Sequence, residues 1–154
     1  MSNVLMGICV MGCDGLTVQD NTITARVGEN TDAGIFIDGS PNTVVKGNTI
    51  TGFTAGEREG YMHGTSGAAI SVYSGADGTT IIYNDLKGSS VGVYVATVNT
   101  MDTPANVELH FNSIVGNDDY GVCNFRFPPR LKDPSTRENL NYWDYDSFSP
   151  ANND

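Results

Sequence analysis

Residues 34–50, G-I-F-I-D-G-S-P-N-T-V-V-K-G-N-T-I, contain the two short phrases that decide the fold. The first phrase, G-I-F-I, is a small residue followed by apolar residues on either side of a variable one. The second phrase, V-K-G-N-T-I, has apolar residues at both ends and an asparagine between them. Apolar residues at alternate positions predict short strands with one buried face and one solvated face.

Both phrases recur five times along the chain, and they alternate strictly. The first phrase begins at Gly7, Gly34, Ala69, Gly92 and Gly121. The second phrase ends at Ile23, Ile50, Leu86, Ile114 and, in a degraded form, Trp143. Successive starts of the first phrase are 27, 35, 23 and 29 residues apart, so the repeat accepts insertions of different length.

A coiled chain stacks equivalent positions of the repeat, whereas hairpins would separate them. Each coil climbs one strand spacing, about 4.8 Å, so like residues lie over like. The sequence therefore predicts an all-β fold, a right-handed single-stranded parallel β-helix of about five coils, forming one domain over residues 1–154. The variable position of the first phrase is expected to face solvent; it is occupied by Cys9, Phe36, Ser71, Tyr94 and Cys123.

One asparagine in each second phrase forms a further column. Its members are Asn21, Asn48, Asn84, Asn112 and Asn141. Stacked amides donate and accept hydrogen bonds along the axis, which predicts an asparagine ladder. The alternative is that each asparagine is an ordinary turn residue.

The amino-acid composition argues against some fold classes and some classes of binding partner. The 154 residues include 18 glycines, only 17% are charged, and the net charge is −10. This composition disfavours a helical bundle. An acidic surface repels phosphate backbones and anionic lipids, so neither nucleic acid nor a membrane is an expected partner. The three cysteines lack metal-site spacing and are expected to be packing or surface thiols.

The two ends of the predicted solenoid differ. The last coil has polar residues at inner positions and is followed by F-P-P-R-L-K-D-P from Phe127, which predicts a terminal cap. Only Met1 to Met6 precede the first strand, without an amphipathic helix or the basic start of a signal peptide. We expect a segment of a larger solenoid, or else a homo-oligomer or end-to-end contact through the uncapped N-terminal coil.

The paired phrases resemble the repeats of the pectin-lyase-like superfamily of right-handed parallel β-helices. In particular they resemble the NosD-like type, named after the periplasmic nitrous-oxide-reductase maturation protein. The ending N-Y-W-D-Y-D-S-F-S-P, residues 141–150, resembles the tail that closes the coils of many members, without its second Trp and its Gly. The resemblance covers residues 7–150 and implies a periplasmic or extracellular β-helix. It implies no activity, because the catalytic motifs of pectate lyases, polygalacturonases and alginate epimerases are absent from the sequence.

Two insertions after the asparagine phrases of the first and second coils are predicted to lie side by side at one corner. Candidate catalytic residues there are Asp32, Glu57, Glu59 and His63, and candidate substrate-binding residues are Arg26, Glu29, Arg58 and Tyr61. Two carboxyl groups about 5 to 9.5 Å apart would suit acid–base chemistry on a glycosidic bond. The alternative is that these charges are simply solvated in glycine-rich loops.

Two further candidate sites follow from stacking. Asp14, Asp38, Asp77 and Asp102 form a predicted acidic column, of which the first three could hold Ca²⁺, although aspartate before glycine is also ordinary turn chemistry. Phe36 and Tyr94, two coils or about 9.6 Å apart, would suit stacking on sugar rings.

The leading functional hypothesis is a carbohydrate-binding or carbohydrate-processing β-helix domain, with a glycan lying across the coils near the loop corner. The rival hypothesis is a structural or adhesive solenoid, such as part of a surface protein or a phage fibre. The net charge of −10 favours a neutral glycan over a polyuronate unless Ca²⁺ bridges the charges.

Overall fold

The structure, a computed structural model, describes residues 1–28, 30–54, 67–96, 104, 106–118, 120–125, 142–144 and 147–148, with the backbone alone from residue 124 onward. All regular secondary structure in these residues is β-strand. This part of the chain contains no helix long and apolar enough to cross a membrane.

The strands form three parallel sheets. Sheet A is β1 (Ser2–Val4), β4 (Thr22–Ala25), β7 (Thr49–Thr51), β10 (Asp85–Lys87), β13 (Ser113–Val115) and β16 (Ser147–Phe148). Sheet B is β2 (Ile8–Met11), β5 (Ala33–Asp38), β8 (Ala68–Val72), β11 (Val91–Ala96) and β14 (Tyr120–Phe125). Sheet C is β3 (Thr17–Gln19), β6 (Val44–Lys46), β9 (Thr80–Ile82), β12 (Glu108–His110) and β15 (Tyr142–Asp144). The chain visits the sheets in the order B, C, A, and this winding confirms the predicted right-handed parallel β-helix.

The core consists of the predicted inner columns. Aliphatic side chains from all three sheets meet in one continuous buried cluster. Ile35, Ile70 and Val93 of sheet B pair in register and are fully buried. The columns of sheet C (Val18, Val45, Ile81, Leu109) and sheet A (Ile23, Ile50, Leu86, Ile114) are also buried. The period-two pattern therefore identified the inner face of each strand correctly.

Each first phrase opens with a small residue because a larger side chain would clash at that position. A Cβ placed on Gly34 would clash with Cγ2 of Ile50 in the same coil and with the carbonyl oxygen of Ala69 in the next coil. Gly92 stands in the same relation to Ile114 and to the Gly121 carbonyl. The corner between sheets A and B is thus filled by the β-branched residue of sheet A, and only a small residue fits opposite it.

The described asparagines hydrogen-bond to one another along the axis. Oδ1 of Asn48 accepts from the backbone N–H and the side-chain amide of Asn21, both at 3.0 Å. Oδ1 of Asn84 accepts likewise from Asn48, at 2.9 and 3.0 Å, and Oδ1 of Asn112 accepts from Asn84, both at 2.9 Å. The side-chain amide of Asn84 also donates to the carbonyl of Val45, at 3.0 Å. Each interior amide therefore closes its own turn and joins it to the next coil.

The predicted register of the last coil is wrong. Trp143 pairs with Leu109, and Phe148 pairs with Ile114, so these two residues continue the apolar columns of sheets C and A. The position corresponding to Asn112 in this coil is therefore residue 146. Asn141 lies outside the described residues, and its phrase was aligned incorrectly, because Ile114 pairs with Phe148 and not with Trp143. The predicted cap from Phe127 onward also lies outside them, apart from the backbone of β15 and β16.

Candidate functional site

The residue before each column asparagine adopts a left-handed backbone, where the chain turns from sheet C to sheet A. Its φ is 56° in Asp20, 66° in Gly47, 57° in Tyr83 and 55° in Phe111. Glycine and aspartate tolerate this conformation, whereas it is an outlier for a bulky residue. Holding tyrosine and phenylalanine in it costs about 1–3 kcal/mol each. We call these four positions the aromatic turn.

The two aromatic side chains of this turn stack on each other at the surface. The ring centroids of Tyr83 and Phe111 are 5.2 Å apart, and their planes are inclined by 17°. Tyr83 is 54% exposed and Phe111 is 47% exposed. These two large, exposed and nearly parallel rings form an apolar platform, which suits contact with another flat apolar face.

Glycine and aspartate occupy the aromatic turn in the two preceding coils. Because the rings stack along the axis at about one coil spacing, the second face of the Tyr83 ring is directed toward the coil of Gly47. Gly47 contributes no side chain there, and Oδ1 of Asp20 lies 2.5 Å from the point where its Cβ would be. The Asp20 carboxylate therefore covers the position of Gly47, and along the axis the turn presents this carboxylate followed by two rings.

Two polar pairs lie in the strands that adjoin this turn. Nζ of Lys87 lies 2.8 Å from Oδ2 of Asp85 in β10 of sheet A. Nε2 of His110 lies 3.3 Å from Oε2 of Glu108 in β12 of sheet C. The exposed Lys87–Asp85 ion pair adds little to stability. Beside an apolar platform the two pairs supply hydrogen-bond donors and acceptors, the combination that binding sites for polar ring ligands use.

The predicted loop corner is only partly described. Its stems are adjacent, because Thr31 N–H donates to the carbonyl of Thr54 at 3.0 Å and Thr54 N–H donates to Oγ1 of Thr31 at 2.8 Å. Arg26 and Asp32 are both exposed. The other candidates at this corner, Glu29, Glu57, Arg58, Glu59, Tyr61 and His63, lie outside the described residues. Their roles remain predictions.

The predicted acidic column is not a single column. Asp38 pairs with Met11 at the end of β5, whereas Asp14 and Asp77 lie in the turns between sheets B and C. Oδ1 of Asp14 accepts a hydrogen bond from the side-chain amide of Asn42 at 2.9 Å, and the carbonyl of Asp77 accepts one from the Asn42 N–H at 2.7 Å. Asp14 and Asp77 act as turn residues, and Asp102 lies outside the described residues. Among the residues with described side chains, no three His, Cys, Asp or Glu side chains converge as a metal site.

The outer face of sheet B was predicted to be solvated, which is wrong for its middle coils. Tyr94 is only 2% exposed, and Ser71 is fully buried. Tyr73 lies between two other rings, with centroids 5.0 Å from Phe36 and 6.0 Å from Tyr94. A second apolar layer therefore covers this face, and Tyr94 is not available to stack on a sugar from solvent. Phe36 is partly buried in the same layer.

Burial raises the pKa values of the ionisable side chains in this layer. It raises the pKa of the Tyr73 phenol, and the nearby Tyr94 and Asp38 raise that pKa further. Burial also raises the pKa of Tyr94, with a smaller contribution from the Cys123 thiol, and it raises the pKa of Cys123 itself. These groups stay protonated at neutral pH, as expected of packing residues.

Sequence reasoning missed Tyr83 and Phe111. The signal was present, because both residues immediately precede a column asparagine, at the position that holds Asp20 and Gly47 in the earlier coils. Two aromatic residues at a turn position that prefers glycine or aspartate are a departure from local propensity, and such departures mark candidate functional positions.

The chain forms three parallel sheets around one aliphatic core, and aromatic and polar side chains are exposed at its turns. These features define a parallel β-helix protein. More particularly, the chain belongs to the NosD family. The family model described as "Periplasmic copper-binding protein (NosD)" matches residues 1–120, which confirms the resemblance of the repeat phrases. Comparison with curated proteins and with solved structures gave no match.

The family description names copper, which binds only certain donor atoms. Cu(I) selects soft thiolate and thioether ligands, whereas Cu(II) prefers imidazole in a square-planar arrangement. His110 is the one histidine whose side chain the structure describes, and it lies beside Glu108. Exposed sulfur donors lie together on β2, at Cys9 and Met11, with Cys13 just beyond. Among the described residues no three His, Cys, Asp or Glu side chains form a group that could hold a metal ion, so this part of the chain shows no copper site.

Proposed function

We propose that the chain is a carbohydrate-binding β-helix domain that acts in the periplasm or outside the cell. The observation that supports it is the pair of stacked, half-exposed rings of Tyr83 and Phe111, each in a backbone conformation unfavourable to it. A residue retained at such a cost, on a solvated corner where it fills no core space, is a candidate for ligand contact.

The chemistry of the aromatic turn fits a pyranose ring. The C–H face of a sugar packs on an aromatic ring, while its hydroxyl groups need donors and acceptors around the ring. Tyr83 and Phe111 provide the faces, and Asp20 and the Lys87–Asp85 pair provide the polar partners. The net charge of −10 favours a neutral glycan over an unassisted polyuronate.

This site differs from the loop corner predicted from the sequence, which lies between sheets A and B. The aromatic turn lies between sheets C and A, and its side chains belong to the described residues. A glycan extended along the axis would contact one turn per coil, at intervals of about 4.8 Å.

The test is a glycan array probed with the labelled chain, with and without Ca²⁺, followed by calorimetry on the glycans that bind. Tyr83→Ala is expected to weaken binding about tenfold or more, through loss of the ring contact. Tyr120→Ala, which removes an exposed ring elsewhere on the molecule, is the matched control and should retain the affinity. Equal affinities for the two variants would contradict the proposal.

A turnover assay on the same glycans separates binding from processing. Product formation that is lost in Asp32→Asn or Glu57→Gln would support chemistry at the loop corner. Unchanged rates in both variants would remove the loop corner as a catalytic site. Binding without turnover would support a binding domain alone.

A structural or adhesive solenoid is the second candidate. It is favoured by apolar side chains exposed on the first coil, namely Met1, Leu5, Met6, Met11 and Leu16. An apolar end of this kind suits contact with another protein surface. Absence of binding across the whole array would favour this function.

A further inference from the structure

The aromatic turn holds a carboxylate next to its two rings along the axis. Oδ1 of Asp20 lies 2.5 Å from the point where a Cβ of Gly47 would be, so the carboxylate stands at the level of the Gly47 coil. The Gly47 N–H donates to the carbonyl of Ile82 at 3.1 Å, which places Gly47 and Tyr83 on adjacent coils. One coil spacing, about 4.8 Å, therefore separates the level of the carboxylate from that of the Tyr83 ring.

The charge of this carboxylate is not neutralised within the described part of the chain. Asp20 is exposed, and its carboxylate forms neither a hydrogen bond nor an ion pair with a described residue. Lys46, which precedes Gly47, forms no ion pair with a described carboxylate either. Lys87 is already paired with Asp85, at 2.8 Å. The Asp20 carboxylate is therefore available to a ligand from solvent.

The ring beside this carboxylate favours the same sign of ligand charge. Phe111 covers one face of the Tyr83 ring, and the other face is directed toward the coil of Gly47. The face of an aromatic ring is electronegative, so a cation beside it is attracted both by the ring and by the carboxylate. Tyrosine reaches farther from the backbone than aspartate, and Tyr83 is 54% exposed, so its ring is accessible beyond the carboxylate. Together the two groups favour a ligand with an apolar face and a positive charge.

We propose that the aromatic turn selects amino sugars. The C–H face of the pyranose packs on the Tyr83 ring, and the protonated amine at the rim of the sugar donates to the Asp20 carboxylate. This inference rests on the proposed glycan-binding function and names the class of sugar that the site prefers. The net charge of −10 also attracts a cationic glycan toward the protein.

The experiment compares two oligosaccharides that have the same length and linkage. One is a β-1,4-linked glucosamine oligomer, and the other is its N-acetylated form, which is neutral. Calorimetry is carried out at about pH 6, where such amines are protonated. The wild type is expected to bind the glucosamine oligomer about tenfold more tightly, through one charge-assisted hydrogen bond and one cation–π contact at an exposed site.

Asp20→Asn tests the role of the carboxylate. Asparagine has nearly the same shape as aspartate and tolerates the positive φ of this position, which is 56°. This variant should bind the two oligomers with affinities within about twofold of each other, because the charge is lost. Its affinity for the N-acetylated oligomer should equal that of the wild type, which shows that the ring platform is intact.

Asp118→Asn is the matched control for net charge. Asp118 is an exposed residue between β13 and β14, at the corner between sheets A and B. Its replacement removes the same single negative charge and should leave the tenfold preference in place. An equal loss of preference in the two variants would assign the preference to overall charge and would overturn the proposal.

The outcomes separate this inference from the proposed function. Equal binding of the two oligomers by the wild type, weakened alike by Tyr83→Ala, would overturn amino-sugar selection and leave the carbohydrate-binding domain standing. Binding of neither oligomer would also overturn amino-sugar selection, and the glycan array would then decide the proposed function separately. Circular dichroism checks that Asp20→Asn and Asp118→Asn are folded, as expected for exposed substitutions.

Discussion

The ring of Tyr83 lies against the ring of Phe111 from the next coil, with 5.2 Å between centroids and 17° between planes. Both residues have φ values in the left-handed region, at 57° and 55°. The stack contributes about 0.5–1.5 kcal/mol beyond its buried area, which offsets only part of the cost of two unfavourable backbones. The pair is therefore better explained by what it contacts outside the chain than by what it adds to stability.

Replacing Tyr83 or Phe111 by asparagine separates the contribution of the ring to stability from its contribution to ligand binding. We expect Tyr83→Asn and Phe111→Asn to keep the free energy of unfolding within about 1 kcal/mol of wild type, or to raise it, because asparagine tolerates positive φ. Both variants should lose glycan affinity. Urea denaturation measures the first effect and calorimetry the second. A loss of more than about 2 kcal/mol, as expected for a core truncation such as Ile81→Ala, would show that the rings are structural.

The asparagine column predicts a position-dependent loss of stability. Asn84→Ala removes the Oδ1 acceptor of the buried Asn48 N–H, one of the acceptors of the Asn48 amide, and the amide donor to the Val45 carbonyl. We expect a loss of about 3 kcal/mol, from one buried N–H left unsatisfied and from the other lost hydrogen bonds. Asn21→Ala, at the partly exposed start of the column, should cost about 1 kcal/mol. Equal losses in urea denaturation would argue against cooperative stacking.

Alkaline pH should destabilise the fold through the buried tyrosines. The pKa values of Tyr73 and Tyr94 are raised in the folded chain, chiefly by burial. In the unfolded chain these phenols lose their protons at about pH 10, so the folded state binds more protons above that pH. The contribution of these two tyrosines to stability is therefore constant below about pH 10 and falls above it.

The tyrosine layer can be tested by single substitutions. Tyr94→Phe removes one of the titrating groups, so the pH midpoint of alkaline unfolding, followed by circular dichroism, should move upward. Tyr83→Phe, which alters an exposed phenol, should leave the midpoint in place. No shift in Tyr94→Phe would mean that another group governs alkaline unfolding.

The first coil is expected to associate with a second copy of the chain. Leu5 and Leu16 are exposed there, directly after β1 and directly before β3. Apolar strand edges favour edge-to-edge pairing, and lysine on such an edge opposes it. Light scattering should show a mass that rises with concentration, and the Leu5→Lys, Leu16→Lys variant should be monomeric. Tyr120→Lys, on β14, is the control that should still associate.

The fold was predictable because its signal is local and repeated. Ile35, Ile50 and their equivalents recur at fixed offsets within each coil, and burial of a period-two pattern follows from strand geometry alone. The prediction of a single acidic column was wrong because it did not follow the offset between the paired strands. The strands of the first two coils are offset by 27 residues, so Asp14 aligns with Pro41 and Asp38 aligns with Met11. Counting from the strands would have shown this.

The candidate site was less predictable. The burial of Tyr94 depends on a second layer that includes Phe36 and Tyr73 from other coils, and a strand pattern does not show whether its outer face is covered. Tyr83 and Phe111 occupy a variable position of the repeat, whose left-handed backbone is visible only in the structure. Their contact also requires the correct pairing of β9 with β12.

The turn position before each column asparagine makes one demand on its occupant, a left-handed backbone, and its side chain leaves the core untouched. Asp20, Gly47, Tyr83 and Phe111 show four occupants of that one position in four consecutive coils. The surface side chain at this position is therefore interchangeable coil by coil. A relative could acquire a different ligand through one codon per repeat, while the aliphatic interior and the amide column stay as they are.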